Sequence, residues 1–252
     1  MLTDPWFYAV ALPAVAMTGL SKGGLQGASL LSLPLLALVM PPFQAAAIML
    51  PVLMMQDVFA VTAFRRTIDW TMLKLMLPGV LVGTIVGWLT ASIVTSDHIK
   101  LLVGVLTLLF CLNAMRTRGA VGEAKPHNSV QAAVFGGLSA FTSFLVHAGG
   151  PPFSIYALPR RLEKETLAGT TSVFFMMVNW LKVPAYSQLG QLTKESLALS
   201  AALFPAAVAA NLLGIWIVRR MPTAPFYRVL YVLLFLVSIK LIWDGGRGVL
   251  AA

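Results

Sequence analysis

Cysteine and charge are both scarce in this chain. Its 252 residues include one cysteine, Cys111, and only 11% of positions are charged. A single cysteine excludes an internal disulfide and any cysteine-based zinc or iron–sulfur site. Cys111 reads as a small apolar packing residue. Soluble domains carry about 25% charged residues, so the deficit excludes an ordinary soluble enzyme and a disordered chain. No Walker loop, zinc-binding helix or catalytic triad pattern is present, and Gly23-Gly24 lacks the strand and spacing of a dinucleotide fold. Neither a metal nor a cofactor is expected. Asp4 precedes the first apolar run in place of a basic segment, so no cleavable signal peptide is expected.

Hydrophobic residues make up 58% of the chain, and its mean hydropathy is +0.85. The apolar runs are far longer than the roughly 10 residues of a barrel strand. Fifteen prolines and 20 glycines also argue against strands. The composition therefore predicts an all-α polytopic membrane protein of about 8–10 segments. The net charge of +9 rests on few residues. It reads as membrane topology rather than as a nucleic-acid footprint. The expected partners are the lipid bilayer and a small substrate.

Charge-free runs mark the segments. Pro5–Ser21 is followed by Lys22, and Gly23–Gln56 by Asp57. Leu75–Ser96, Leu101–Met115, Thr166–Ser187 (interrupted by Lys182), Ser196–Val218 and Ala224–Trp243 are further spans. Pro126–Pro159 is charge-free but broken around His147-Ala148-Gly149-Gly150-Pro151-Pro152. The two halves share landmarks in order. Gly23-Gly24 matches Gly149-Gly150, Met54–Asp57 matches Met176–Asn179, Leu77-Pro78-Gly79 matches Phe204-Pro205-Ala206, and Gly87 matches Gly214. Residues 1–118 are read as a first transmembrane repeat, 119–129 as a cytoplasmic linker, and 130–252 as a second repeat. Each repeat comprises a broken Gly-Gly helical hairpin and three transmembrane helices.

Basic residues favour the cytoplasmic side. Four arginine pairs qualify: Arg65/Arg66, Arg116/Arg118, Arg160/Arg161 and Arg219/Arg220. With all four inside, 43–64 runs inward, 75–96 outward, 99–115 inward, 166–187 outward, 196–218 inward and 224–243 outward. The halves are then inverted and both termini are periplasmic. Inverted repeats are a signature of secondary transporters, whose sites lie at broken helices near the midplane.

The expected site lies between the two Gly-Gly hairpins. Ser21, Lys22, Gly23, Gly24 and Gln26 form one side, and Thr142, Ser143, His147, Gly149 and Gly150 the other. Glycine lets a backbone approach a ligand. A helix restarting after Gly-Gly offers free N–H groups and a positive dipole end, which suit an anion. Lys22 adds full charge, and His147 a donor. Asp57 is the acid inside an apolar segment, a costly and usually functional placement. It either carries a coupling proton or pairs with Lys22 or Lys182. Asn179 occupies the matching repeat position, and Lys182 follows it by nearly one turn. Gln56 and Asn211 either line the cavity or bond between helices. Gly79, Gly83 and Gly87 form a close-packing stripe, and Trp6, Trp70, Trp88 and Trp243 are interfacial anchors.

The run Gly19 to Gly24 followed by Pro34, echoed at Gly149-Gly150 with Pro159, resembles the sulfite exporter TauE/SafE family. So do the size and the paired halves, over about residues 6–245. That resemblance implies a transporter, in the export direction, of sulfur-containing anions such as sulfite, organosulfonates or sulfoacetate across the bacterial inner membrane. Lys22 before the first Gly-Gly and His147-Ala148 before the second depart from the common pattern, at positions where substrate choice can change. An anion channel and a small-carboxylate transporter are the alternatives. An intramembrane enzyme using His147 and Asp57 ranks lower, because few titratable groups are available to share a pocket. Proton coupling and a homodimer remain open in the sequence.

Overall fold

The computed structural model describes residues 5–23, 29, 32–36, 39–40, 42–91, 96–116, 124–190 and 192–250. Its elements are α-helices: α1 (Pro5–Lys22), α2 (Ser32–Leu36), α3 (Pro42–Phe64), α4 (Trp70–Thr90), α5 (Ser96–Arg116), α6 (Ser129–Val146), α7 (Gly150–Ala157), α8 (Lys164–Gln188), α9 (Lys194–Arg220) and α10 (Thr223–Leu250). A 3₁₀ turn at Leu158–Arg160 follows α7. No strand occurs among the described residues. Among the described residues the fold is all-helical, and each half of the chain contributes five helices in the same order. Two hairpin pieces, α1–α2 and α6–α7, each precede three longer helices.

Residues Gln44–Phe64 of α3, together with α4, α9 and α10, are long and apolar enough to cross a bilayer. The chain is a multi-pass membrane protein. Helix α8 spans Lys164–Gln188, but Asn179, Lys182 and its hydroxyl residues lower its hydropathy. Those residues face protein: Thr170, Thr171, Ser172, Asn179 and Lys182 are all buried. Pro78 in α4 and Pro205 in α9 sit inside their helices at matching repeat positions. Membrane helices tolerate such prolines because neighbours and side chains satisfy the freed carbonyls.

The helices form two compact units, and neither is a sequence half. The first unit comprises Met1–Asp69 and Lys164–Phe226, and the second Trp70–Glu163 and Tyr227–Ala252. Each therefore draws helices from both repeats. The chain passes between units after Asp69, Glu163 and Phe226. Arg65/Arg66, Arg160/Arg161 and Arg219/Arg220 lie beside these passages.

In the first unit α1 packs closely on α9. A Cβ on Gly19 would lie 2.5 Å from the Ala210 Cβ, and one on Gly23 would lie 2.5 Å from the Gly214 backbone. Contacts advance together along both helices, so the two run parallel. Helix α3 also runs parallel to α9, from Ile48–Ser200 through Gln56–Asn211 to Ala63–Arg219. It runs antiparallel to α8, where Asp57 meets Asn179 and Phe64 meets Gly169. An apolar core of Phe7, Val15, Leu36, Ile48, Met49, Leu199 and Leu203 joins α1, α2, α3 and α9.

In the second unit α4 packs on α6 in the same way. Gly79, Gly83 and Gly87 face Ala133, Gly137 and Phe144 in turn, so this pair is also parallel. The sequence read this stripe as helix packing, and that is where it lies. Helix α5 runs antiparallel to α10, from Phe110 stacked on Tyr231 to Leu101 against Gly245.

Of the linker expected at 119–129, residues 119–123 lie outside the described residues. Beyond them, the Lys125 N–H donates to Pro159 O at 3.1 Å. Arg160 then fixes the end of the second hairpin. It donates to Tyr156 O and to Pro126 O, and stacks on the Tyr156 ring at 3.2 Å. Asn128 caps α6, its side chain accepting from the Gln131 N–H at 2.9 Å.

Candidate functional site

The polar centre of the first unit is built by three helices. Helix α1 ends at Lys22, and the Gly23 N–H closes its last turn on Gly19 O at 2.8 Å. The close approach of α9 brings the end of α1 against the middle of the bundle. Helix α3 contributes Asp57 and α8 contributes Asn179 and Lys182.

The Lys22 Nζ donates to Asp57 Oδ1 at 2.5 Å. The Asn179 Nδ2 donates to Asp57 Oδ2 at 2.7 Å. The Lys182 Nζ reaches Asn179 Oδ1 at 3.5 Å. Four polar groups thus form a chain, with both carboxylate oxygens engaged. Asp57 and Lys182 are fully buried and Asn179 is 2% exposed. The Lys22 side chain keeps 10% exposure. The Phe175 ring lies 5.0 Å from the Lys22 Nζ, within cation–π range.

The two partners considered for Asp57 are now separated. Lys22 takes the direct ion pair, and Lys182 is joined to it through Asn179. The matching positions Asp57 and Asn179, one from each repeat, bond to each other. Sequence reading placed both toward the protein interior but supplied no reason for them to meet. Phe175 was missed altogether, because one more aromatic in an apolar run carries no signal.

Gly19 and Gly23 serve helix packing. Their missing side chains admit the α9 backbone. Ser21 donates to the Ser29 hydroxyl at 3.1 Å. Gly24 and Gln26, where free N–H groups were expected, lie outside the described residues.

The second hairpin breaks where the sequence predicts. Helix α6 stops at Val146, and His147 takes a left-handed conformation with φ 52°. Its N–H reaches Ser143 O and Thr142 O. Ser139 donates to Gly149 O at 2.6 Å, and the Thr142 hydroxyl lies 3.1 Å from Ala148 O. Hydroxyls therefore satisfy carbonyls that the break releases. The restart differs from the expected cradle of N–H groups. Helix α7 opens Gly150-Pro151-Pro152, and proline carries no N–H. The Phe153 N–H returns to Gly149 O at 3.3 Å. Gly150 holds the one donor of those first three helical residues, and a Cβ there would meet nothing within 4 Å.

Gln56 and Asn211 bond between helices. The Gln56 Nε2 lies 3.4 Å from both Val15 O and Ala207 O, and the Asn211 Nδ2 donates to Gln56 O at 2.6 Å. Their side-chain oxygens have no partner among the described residues. No cluster of metal-ligating side chains occurs among the described residues.

Neither the comparison with curated proteins nor that with solved structures returned a significant match. A family model did match, and it covers residues 11–241, nearly the whole chain. Its span takes in both hairpins and the centre at Lys22, Asp57, Asn179 and Lys182. The chain belongs to the sulfite exporter TauE/SafE family, a family of membrane transporters.

Proposed function

We propose that the protein is a secondary transporter that exports small sulfur-containing anions, such as sulfite or an organosulfonate, across the bacterial inner membrane. The headgroup binds at the polar centre of the first unit. The observation that carries this reading is the Lys22–Asp57–Asn179 arrangement held between α1, α3 and α8, with Asp57 inside α3, a helix long and apolar enough to cross a bilayer. Charged groups at membrane depth are costly and mark substrate pathways. Lys22 sits at the end of an interrupted helix, where transporters of this general design bind substrate, and its residual exposure gives an anion access. Family membership supports sulfur as the headgroup element.

The proposed orientation has both termini periplasmic and residues 116–128 cytoplasmic. The four arginine pairs choose the side, and the helix directions fit the order of passages that this assignment requires. Inward passage of α3 and α9 requires them to be parallel, and outward passage of α8 requires it to oppose α3. Both relations hold in the first unit.

The deciding experiment is uptake of radiolabelled sulfite and sulfonates into proteoliposomes, with matched carboxylates as competitors. Saturable uptake that sulfur anions suppress, and that trans-side substrate accelerates, is expected. Flux that does not saturate would make the protein a channel. Preference for carboxylates would replace the substrate class.

A further inference from the structure

Phe175 is placed unlike its neighbours on α8. Thr171, Ser172, Val178 and Asn179 lie one turn to either side of it on the same face, and Lys182 follows a turn later. All five are buried, whereas Phe175 among them is half-buried. Trp180 is exposed, and its position five residues after Phe175 puts it toward the other side of the helix. The open part of the Phe175 ring therefore belongs to the face on which Asn179 meets Asp57, not to the face that Trp180 presents to lipid. The Lys22 ammonium lies 5.0 Å from the ring centre and also keeps open surface. Phe174 is fully buried and meets the Phe175 ring edge-to-face at 5.1 Å, which fixes the ring plane. An ammonium and an accessible aromatic surface thus stand side by side within the first unit.

Asp57 compensates Lys22, so the pair offers donors but little net charge. An ammonium has three N–H donors, and Asp57 Oδ1 takes one of them. The others can bond a sulfonate oxygen, yet exchanging water for those bonds yields only a modest net gain. Burial of hydrocarbon adds to that gain and needs no charge. We propose that Phe175 is the specificity-determining residue of this site. It receives the hydrocarbon tail of an organosulfonate whose headgroup docks on Lys22, so the site favours organosulfonates with an apolar tail over sulfite. The proposal rests on the transport reading above and deepens it. The tail covers the open ring surface and is itself removed from water. Sulfite has no group to place there and leaves the ring wet. In the empty site the same ring serves Lys22, because its π face attracts the ammonium.

The test is calorimetric binding to the full-length protein in one detergent at fixed pH and ionic strength. Methane-, ethane-, propane- and butanesulfonate share headgroup and charge and differ only in the tail. Wild-type affinity is expected to rise with each added carbon, by up to about fourfold, the value of one fully buried methylene. Across the series the gain should reach at least about tenfold. 2-Hydroxyethanesulfonate matches propanesulfonate in length and should bind more weakly, because its tail ends in a hydroxyl. In Phe175→Ala the butane-to-methane ratio should fall below about threefold, since the surface that covers the tail is gone. Phe175→Leu is the milder packing change and should give an intermediate ratio. The ratio is the readout, so an overall loss of affinity in a variant cancels, as does partition of the ligands into micelles when variants are compared. The wild-type series needs no variant, so a misfolded mutant does not rescue the idea. Equal affinity along the series in wild type would overturn the role of Phe175 while leaving sulfur-anion transport standing. So would a wild-type ratio in folded Phe175→Ala, or 2-hydroxyethanesulfonate binding as tightly as propanesulfonate. Failure of every sulfonate to bind would remove the transport reading itself.

Discussion

The two units solve one packing problem alike and treat polarity differently. In the first, α1 of the N-terminal repeat lies parallel to α9 of the C-terminal repeat, with Gly19, Gly23 and Gly214 at the contact. In the second, α6 of the C-terminal repeat lies parallel to α4 of the N-terminal repeat, with Gly79, Gly83, Gly87 and Gly137 there. Each hairpin helix packs on the fourth helix of the other half. The polar content has diverged. The first hairpin carries Lys22, paired to an acid from α3. The second carries His147, whose backbone caps its own helix and whose neighbouring hydroxyls cover freed carbonyls. Small-residue packing tolerates no change, because apolar helices in lipid associate through close contact rather than through a hydrophobic drive. The polar groups were free to diverge once packing held the frame.

The sharpest way to break the shared part is steric. Gly79→Val places side-chain atoms inside the backbone of Ala133, and Gly23→Val does the same against Gly214. Overpacking costs about 1–3 kcal/mol where a core can shift. Backbone facing backbone cannot, so each variant is expected to lie at or above the top of that range. Thermal unfolding in detergent checks it. If Gly23→Val keeps wild-type stability while Gly79→Val does not, the two interfaces are not equivalent.

The polar difference is tested next. Asp57→Ala takes away the ion-pair partner of Lys22 and should destabilise by about 3–5 kcal/mol, the cost of breaking a buried pair. Lys22→Met combined with Asp57→Ala should recover much of that loss. No comparable effect is expected from the second hairpin, where Ser139→Ala removes one hydrogen bond to Gly149 O and should cost about 1–3 kcal/mol. Equal losses from Asp57→Ala and Ser139→Ala would erase the distinction between the hairpins.

These contrasts show what the sequence carries. Long apolar runs, the arginine pairs and the ordered Gly and Pro landmarks made the helical membrane fold, the break at His147–Gly149 and the packing stripe on α4 legible. The interleaving of halves into units was not legible. Whether α1 seeks α9 depends on shape matching between segments nearly 200 residues apart, and local periodicity holds no record of it. For the same reason the packing of Gly19 and Gly23 against α9 was not legible. The polar centre was half legible. Lone charges in apolar runs nominated Lys22, Asp57 and Lys182, but the choice of partner for Asp57 and the presence of Phe175 depend on helix rotation.

A third prediction concerns ligand affinity. Lys22→Ala should weaken binding of a sulfonate by about 1.5–3 kcal/mol, the range for a hydrogen bond to a charged group. Asp57 then loses its pair, so Lys22→Ala is best compared with Lys22→Ala/Asp57→Asn, in which no carboxylate repels the anion. Calorimetry on both variants provides the check. Unchanged affinity in both would take the site away from the first hairpin.

The smallest expected effect probes the second break. His147 sits at φ 52° as the left-handed cap of α6. That region costs an L-residue roughly 1–2 kcal/mol, whereas glycine enters it freely. Against this, glycine adds unfolded-chain entropy that folding must remove. His147→Gly is therefore expected to raise stability by about 0.5–1 kcal/mol and to leave sulfonate affinity unchanged. The α7 start gives the same reason for unchanged affinity, since Pro151 and Pro152 remove donors that an anion would use. Thermal unfolding and calorimetry on the one variant read both quantities. A gain in stability with affinity retained makes the second break a structural cap. A folded His147→Gly that no longer binds sulfonate would return the imidazole to the substrate site and make the two hairpins functional equivalents.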